Sequence, residues 1–203
     1  MGIQEWTYLM VHRPRDCSWL IGHPEFPNLT AGNFKCASDP DDDYNCIAWA
    51  ADRKDRPWWP TTIAPYFWPD GLPKDPPNIA ETIENFIKAF EVQGYSVCRN
   101  GRFSWRYEKV AIYVDDHDVP THAARTLPNH VWSSKMGDEE DIEHVTYADV
   151  EGTKYGKAKI YLKRKWPEDR KPKLRMFDLF PLNLLGRTRK KFSPIPKLSP
   201  TAS

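Results

Sequence analysis

The chain has 203 residues, 40% of them hydrophobic, and a formal net charge of +1, which is enough to bury one core and too little for two independent enzymes. No apolar run approaches the roughly 18 residues of a membrane span, and the N-terminus MGIQEWTYLMVHRPR lacks the basic start and apolar stretch of a secretory signal. Trp6 stands where a myristoylation pattern needs Ser or Thr, so a lipid anchor is not expected. These features predict a soluble, cytoplasmic protein with no membrane contact. The four cysteines, at 17, 36, 46 and 98, form no CxxC. They read as reduced thiols, with a Cys36–Cys46 bond as the alternative.

In chain order, Trp6, Tyr8 and Met10 alternate with Thr7, Leu9 and Val11, which permits a strand near the start. The acidic run Asp39 to Asp43 leads into Tyr44-Asn45-Cys46-Ile47-Ala48-Trp49-Ala50-Ala51, where capping residues precede helix formers. Cys46 is therefore expected in a first helical turn. Residues 57–77 hold seven prolines among Trp58, Trp59, Tyr66, Phe67 and Trp68, a composition that excludes regular structure but not packing. A helix is predicted over 79–93, with Ile79, Ile83, Phe86, Ile87 and Phe90 as its apolar stripe, Asn78 and Glu81 as a capping box and Gly94 as the stop. Strands follow at 109–114, 121–127, 130–135 and 157–164. A helix followed by an antiparallel meander is an α+β pattern. Residues 1–165 read as one domain and 166–203 as a basic, Pro-rich extension. Within the extension, the apolar segment 176–185 docks on the chain's own domain or on a partner protein.

A thiol at a helix start beside a histidine is a nucleophile arrangement, because both neighbours favour the thiolate. Cys46 supplies the thiol. The backbone N–H of Cys46, helped by Asn45, is placed to hold an oxyanion. Of the six histidines, His122 in Thr121-His122-Ala123-Ala124-Arg125 has small neighbours and lies far enough along the chain to fold back. The third member, which orients the imidazole, is His144, with Ser134 as the alternative. Trp58, Trp59 and Trp68 are candidates for a substrate groove or for packing.

The blocks YNCIAWA, WWP, YFWPDG, GYSVC, YEKVAIY, THAAR, WSSKMG and DIEH, running in that order over residues 40–163, resemble an uncharacterised, mainly bacterial domain family marked by a YNCIAWA-type block. More distantly, a cysteine opening a helix, followed by a strand that begins with histidine, is similar to the papain-like NlpC/P60 and CHAP groups of amidases and peptidases. That resemblance implies a papain-like fold, with helices packed on a small antiparallel β-sheet. It also implies Cys46 as nucleophile, His122 as base and a third residue on the next strand near Ser134.

The resulting expectation is a cysteine-dependent hydrolase or acyltransferase acting on a peptide or amide-containing substrate. The alternative is an inactive binding or regulatory module of the same fold. No cofactor is expected. Metal binding through Cys46, His117, His122 or His144 ranks last, because the usual ligand spacings are missing. Residues 151–203 hold 15 Lys and Arg against 4 Asp and Glu, yet the tryptophans at 58, 59 and 68 lie in the acidic part. The separation argues against nucleic acid as a partner.

Overall fold

Apolar and β-branched residues concentrate in the run Val110-Ala111-Ile112-Tyr113-Val114, and the computed structural model, which describes residues 16–172, makes this run an interior strand of a seven-stranded sheet. The strands are β1 (Phe34–Cys36), β2 (Ser96–Cys98), β3 (Tyr107–Val114), β4 (Pro120–Thr126), β5 (Trp132–Lys135), β6 (Asp141–His144) and β7 (Lys157–Lys165). Their spatial order is β1-β6-β5-β4-β3-β7-β2, with every neighbouring pair antiparallel. Two short helices accompany them, α1 (Cys46–Ala50) and α2 (Ile83–Glu91).

This overturns the papain-like α+β expectation of helices packed on a small sheet. The sheet is the body of the molecule, and the helices are minor. Three strands went unread because they are short or polar: Phe34-Lys35-Cys36, Ser96-Val97-Cys98 and Asp141-Ile142-Glu143-His144. Each gains its state from pairing with a longer neighbour rather than from propensity. The expected 79–93 helix begins only at Ile83, because Thr82 takes the cap by accepting from Asn85 N. Asn85 Nδ2 meanwhile donates to the Asn78 and Ala80 carbonyls and holds the preceding turn. Gly94, at φ +85°, follows the helix as expected.

Both faces of the sheet are covered. On one face Val110, Ile112, Ala123 and Leu162 pack against α1, α2 and the tryptophans of the Pro-rich segment. On the other, Ala111, Tyr113, Ala124, Trp132 and Ile142 pack against Leu20, Phe26, Leu29, Val150 and Tyr155. Double coverage explains why β3 is apolar at nearly every position instead of alternating. The segment 57–77 contains no helix or strand, as expected, and only an isolated bridge joins Trp58 to Phe67.

Cys17 and Cys36 form a disulfide with a Cα separation of 5.6 Å, within the usual range. It ties the N-terminal segment to β1 and corrects the expectation of four reduced thiols. Their 19-residue separation gave no sign of the pairing. Cys46 and Cys98 are free. The ordered body continues past residue 165: Trp166 is buried, and Arg170 pairs with Asp52 at 2.6 Å. The expected N-terminal strand at residues 6–11 and the 176–185 segment lie outside the described residues. No helix among the described residues is long and apolar enough to cross a membrane.

Candidate thiol and imidazole site

Asn45 caps α1 and thereby places Cys46 at its first position. The Asn45 side chain bonds to both neighbours: its Oδ1 accepts from Ala48 N at 3.1 Å and Trp58 N at 3.0 Å, while Nδ2 donates to Trp58 O at 2.7 Å. It is a structural clamp between α1 and the Pro-rich segment. One of its two Nδ2 N–H groups is committed to the Trp58 carbonyl, so the other, with the backbone amides, is what the oxyanion role expected of Asn45 would draw on.

Helix α1 lies against β4 and β5. Strands β4 and β5 pair at Arg125–Ser133 and Thr126–Trp132, and nearer the start of β4 they part. The Cys46 thiol occupies this region, where the backbone N–H groups of Ala123, Ile47 and Cys46 itself favour the thiolate. Burial outweighs them, because a thiolate loses its hydration there. Cys46 is 8% exposed, and its thiol is pushed up to about 11. The expected low-pKa thiolate is thus replaced by a neutral thiol.

Across the β4–β5 gap three side chains form a chain. His122 Nε2 and Ser134 Oγ are 3.0 Å apart, Ser134 Oγ and His144 Nε2 are 3.0 Å apart, and His144 Nδ1 lies 2.7 Å from Thr146 O. A carbonyl only accepts, so the proton sits on His144 Nδ1 and leaves its Nε2 an acceptor. Ser134 therefore donates to His144, and its oxygen accepts from His122 Nε2–H. The Thr146 carbonyl in this way dictates that His122 Nδ1 carries a bare lone pair. That nitrogen is buried and has no hydrogen-bond partner.

Both imidazoles are held neutral. Burial lowers His144 to about 4. Burial and then the nearby His144 hold His122 well below the ordinary imidazole range. His122 is 0% exposed and is stacked under Tyr155, with the rings parallel and 3.9 Å apart. Tyr155 is fixed in turn by Thr121 Oγ1 donating to its carbonyl at 2.6 Å and by the Gly152–Gly156 bridge. Gly156, at φ +69°, lies so close to the Val114 carbonyl that no side chain fits there.

Sequence reasoning gave His122 the base role and left His144 and Ser134 as rivals for the third, and all three belong to one chain. Cys46 and His122 are neighbours through the Ala123 amide but share no hydrogen bond. Trp58 and Trp68 are each 2% exposed and belong to the core. Trp59 alone of the three lines a groove, of about 690 Å³, together with Tyr44, Asn45, Tyr66 and Glu81. Residues that sequence reasoning missed are Tyr155 and Lys135. The Lys135 ammonium is buried against the Glu139 carbonyl and lies 5.3 Å from the centroid of the Tyr44 ring. A lysine inside an otherwise buried Trp132-Ser133-Ser134 strand was the available signal. His117 is exposed in the β3–β4 turn. The possible metal-ligand groupings among the described residues, Cys17–Cys36–Glu140 and Asp41–Asp43, include none of the expected ligands.

Among protein families, residues 35–163 match the model of a domain of unknown function, DUF7689. The matched span agrees with the resemblance read over residues 40–163, and it carries no link to NlpC/P60 or CHAP proteins. No curated protein and no solved structure matches the chain.

Proposed function

The chain belongs to the DUF7689 family, whose function is unknown, and from the geometry of the buried histidine chain we propose that it performs thiol-dependent acyl transfer with Cys46 as nucleophile and His122 Nδ1 as base. The observation that carries this reading is the bare, unpartnered Nδ1 lone pair. An unsatisfied polar atom costs about 1–3 kcal/mol in a core, and here it stands one residue from an amide that faces the Cys46 sulfur. In the first step the Cys46 S–H proton passes to Nδ1. The sulfur then attacks the acyl carbonyl, His122 returns the proton to the leaving group, and water releases the acyl group from the thioester. Ser134 and His144 act as positioning residues that keep the Nε2 proton in place. Substrate reaches the site along the groove lined by Trp59 and Asn45, as a peptide or other amide.

A second reading, a non-catalytic binding module, draws on the burial and neutrality of the Cys46 thiol. An amide-directed electrophile such as a peptidyl vinyl sulfone separates the two, with the adduct read by intact mass. An adduct on Cys46 that is lost in Cys46→Ala and slowed at least about 100-fold in His122→Gln supports acyl transfer. Equal labelling of Cys46 and Cys98, insensitive to His122, supports the binding module. The Cys17–Cys36 disulfide favours an oxidising compartment over the cytoplasm as the place of work.

A further inference from the structure

Away from Cys46, strands β2, β3 and β7 and the turn after β4 meet at one end of the sheet. The register sets Lys109 across from Lys163 and Tyr107 across from Lys165. Alternation along the strands then places these four on one face. Glu108 and Arg164, which pair with each other, take the opposite face. The loop between β2 and β3 folds over this end, since Lys109 Nζ donates to Asn100 O at 2.7 Å and Trp166 Nε1 donates to Ser104 O at 3.0 Å.

That loop reads Arg99-Asn100-Gly101-Arg102-Phe103-Ser104-Trp105-Arg106, and Arg99, Arg102, Trp105 and Arg106 are exposed. The separation of aromatic from basic residues that argued against nucleic acid fails here. His130, at φ +74° in the β4–β5 turn, packs 4.0 Å from the Phe103 ring and 4.4 Å from the Trp105 ring, centroid to centroid. The three rings brace one another and leave Trp105 39% exposed. None of Arg99, Arg102, Arg106, Lys163 and Lys165 lies within ion-pairing distance of a carboxylate among the described residues. Lys163 Nζ instead sits 5.0 Å from the centroid of the Tyr107 ring. Burial lowers the Lys109 ammonium, with Cys98 acting against that shift and the nearby Lys163 charge with it.

We propose that this end of the sheet binds single-stranded nucleic acid, with Arg99, Arg102, Arg106 and Lys163 on the phosphates and Trp105 as a stacking platform for a base. Unpaired cations alone would hold any polyanion. A braced aromatic ring that keeps more than a third of its surface in water offers a stacking surface that a strand with free bases can use and a duplex cannot. The site is separate from the thiol and does not depend on its chemistry.

The test is fluorescence anisotropy of a labelled oligothymidine of about 15 nucleotides with the full chain, from about 50 to 300 mM salt. Thermal melts of each variant confirm folding. The Arg99→Gln/Arg102→Gln/Arg106→Gln variant is expected to bind at least about 10-fold more weakly, with a salt slope smaller by about 2, because each phosphate contact on a single strand contributes about 0.7. Trp105→Ala is expected to weaken binding about 5-fold or more with the salt slope unchanged, as loss of stacking requires. The chain carries seven Lys and Arg beyond Pro172, and binding held by those residues would survive both variants. That result overturns the proposal. So does the absence of binding at the lowest salt, or equal affinity for heparin or anionic vesicles with no effect of Trp105→Ala.

Discussion

Acidification should unfold this protein through His144. Its imidazole sits near 4 in the folded state because burial disfavours the cation, against an ordinary value of about 6.5 in the unfolded chain. A base whose folded value is depressed binds fewer protons folded than unfolded throughout the interval between the two values. The linked stability is therefore intact above about pH 6.5 and is lost as the pH falls toward 4. Evaluated at pH 4, where the unfolded group is protonated and the folded one half so, the loss is about 3 kcal/mol relative to pH 8. His122 adds to it in the same direction, because it too is buried neutral. The assay is urea unfolding followed by tryptophan fluorescence at closely spaced pH values, for wild type and His144→Gln. Carboxylates common to both proteins cancel in the difference. The stability advantage of wild type should shrink by about 3 kcal/mol between pH 8 and pH 4. A difference that stays flat over that interval refutes the buried, neutral assignment of His144, and one that grows on acidification refutes the sign.

Three further outcomes are expected. Ser134→Ala leaves His122 Nε2–H and His144 Nε2 without partners, and urea unfolding should register a loss of about 2–4 kcal/mol. Reduction of the Cys17–Cys36 disulfide, with its separation of 19 residues, should cost about 3 kcal/mol, read as a lower urea midpoint in dithiothreitol and reproduced by Cys17→Ser. In iodoacetamide at pH 7, Cys46 should react at least about 100-fold more slowly than Cys98, because a thiol near 11 is only about one part in ten thousand thiolate at that pH. Mass spectrometry of the tryptic peptides resolves the two.

The elements that sequence reasoning located are those whose signal is local. The β3 and β4 segments carry long apolar or β-forming runs. Asn45 and Cys46 carry a capping pattern that α1 realises, and Gly94 closes α2 as its freedom at positive φ allows. What escaped depends on partners distant in sequence. β6 is a strand only because β1 and β5 flank it, so Asp141-Ile142-Glu143-His144 was not read as a strand. That misreading left Ser134 and His144 as competitors, when adjacency of β5 and β6 makes them consecutive members of one chain beginning at His122. The charge states were illegible for the same reason. Spacing suggested a thiolate–imidazolium pair, whereas the double coverage of the sheet buries Cys46 and His122 and drives both to their neutral forms. Trp58 and Trp68 were indistinguishable from Trp59 in a Pro-rich run, because only tertiary packing decides which ring faces a groove.

The Thr146 carbonyl, acting through His144 and Ser134, leaves the buried His122 with a proton on Nε2 and a free lone pair on Nδ1. Nitrogen-15 NMR of the histidine side chains reads this directly, since protonated and unprotonated ring nitrogens resonate far apart. His122 is expected to show an unprotonated Nδ1 and a protonated Nε2 at neutral pH, to keep that tautomer on mild acidification, and to lose it in Ser134→Ala. A His122 protonated on Nδ1, or one already cationic near pH 6.5, would leave no free lone pair on Nδ1 and would overturn the assignment of His122 as the base.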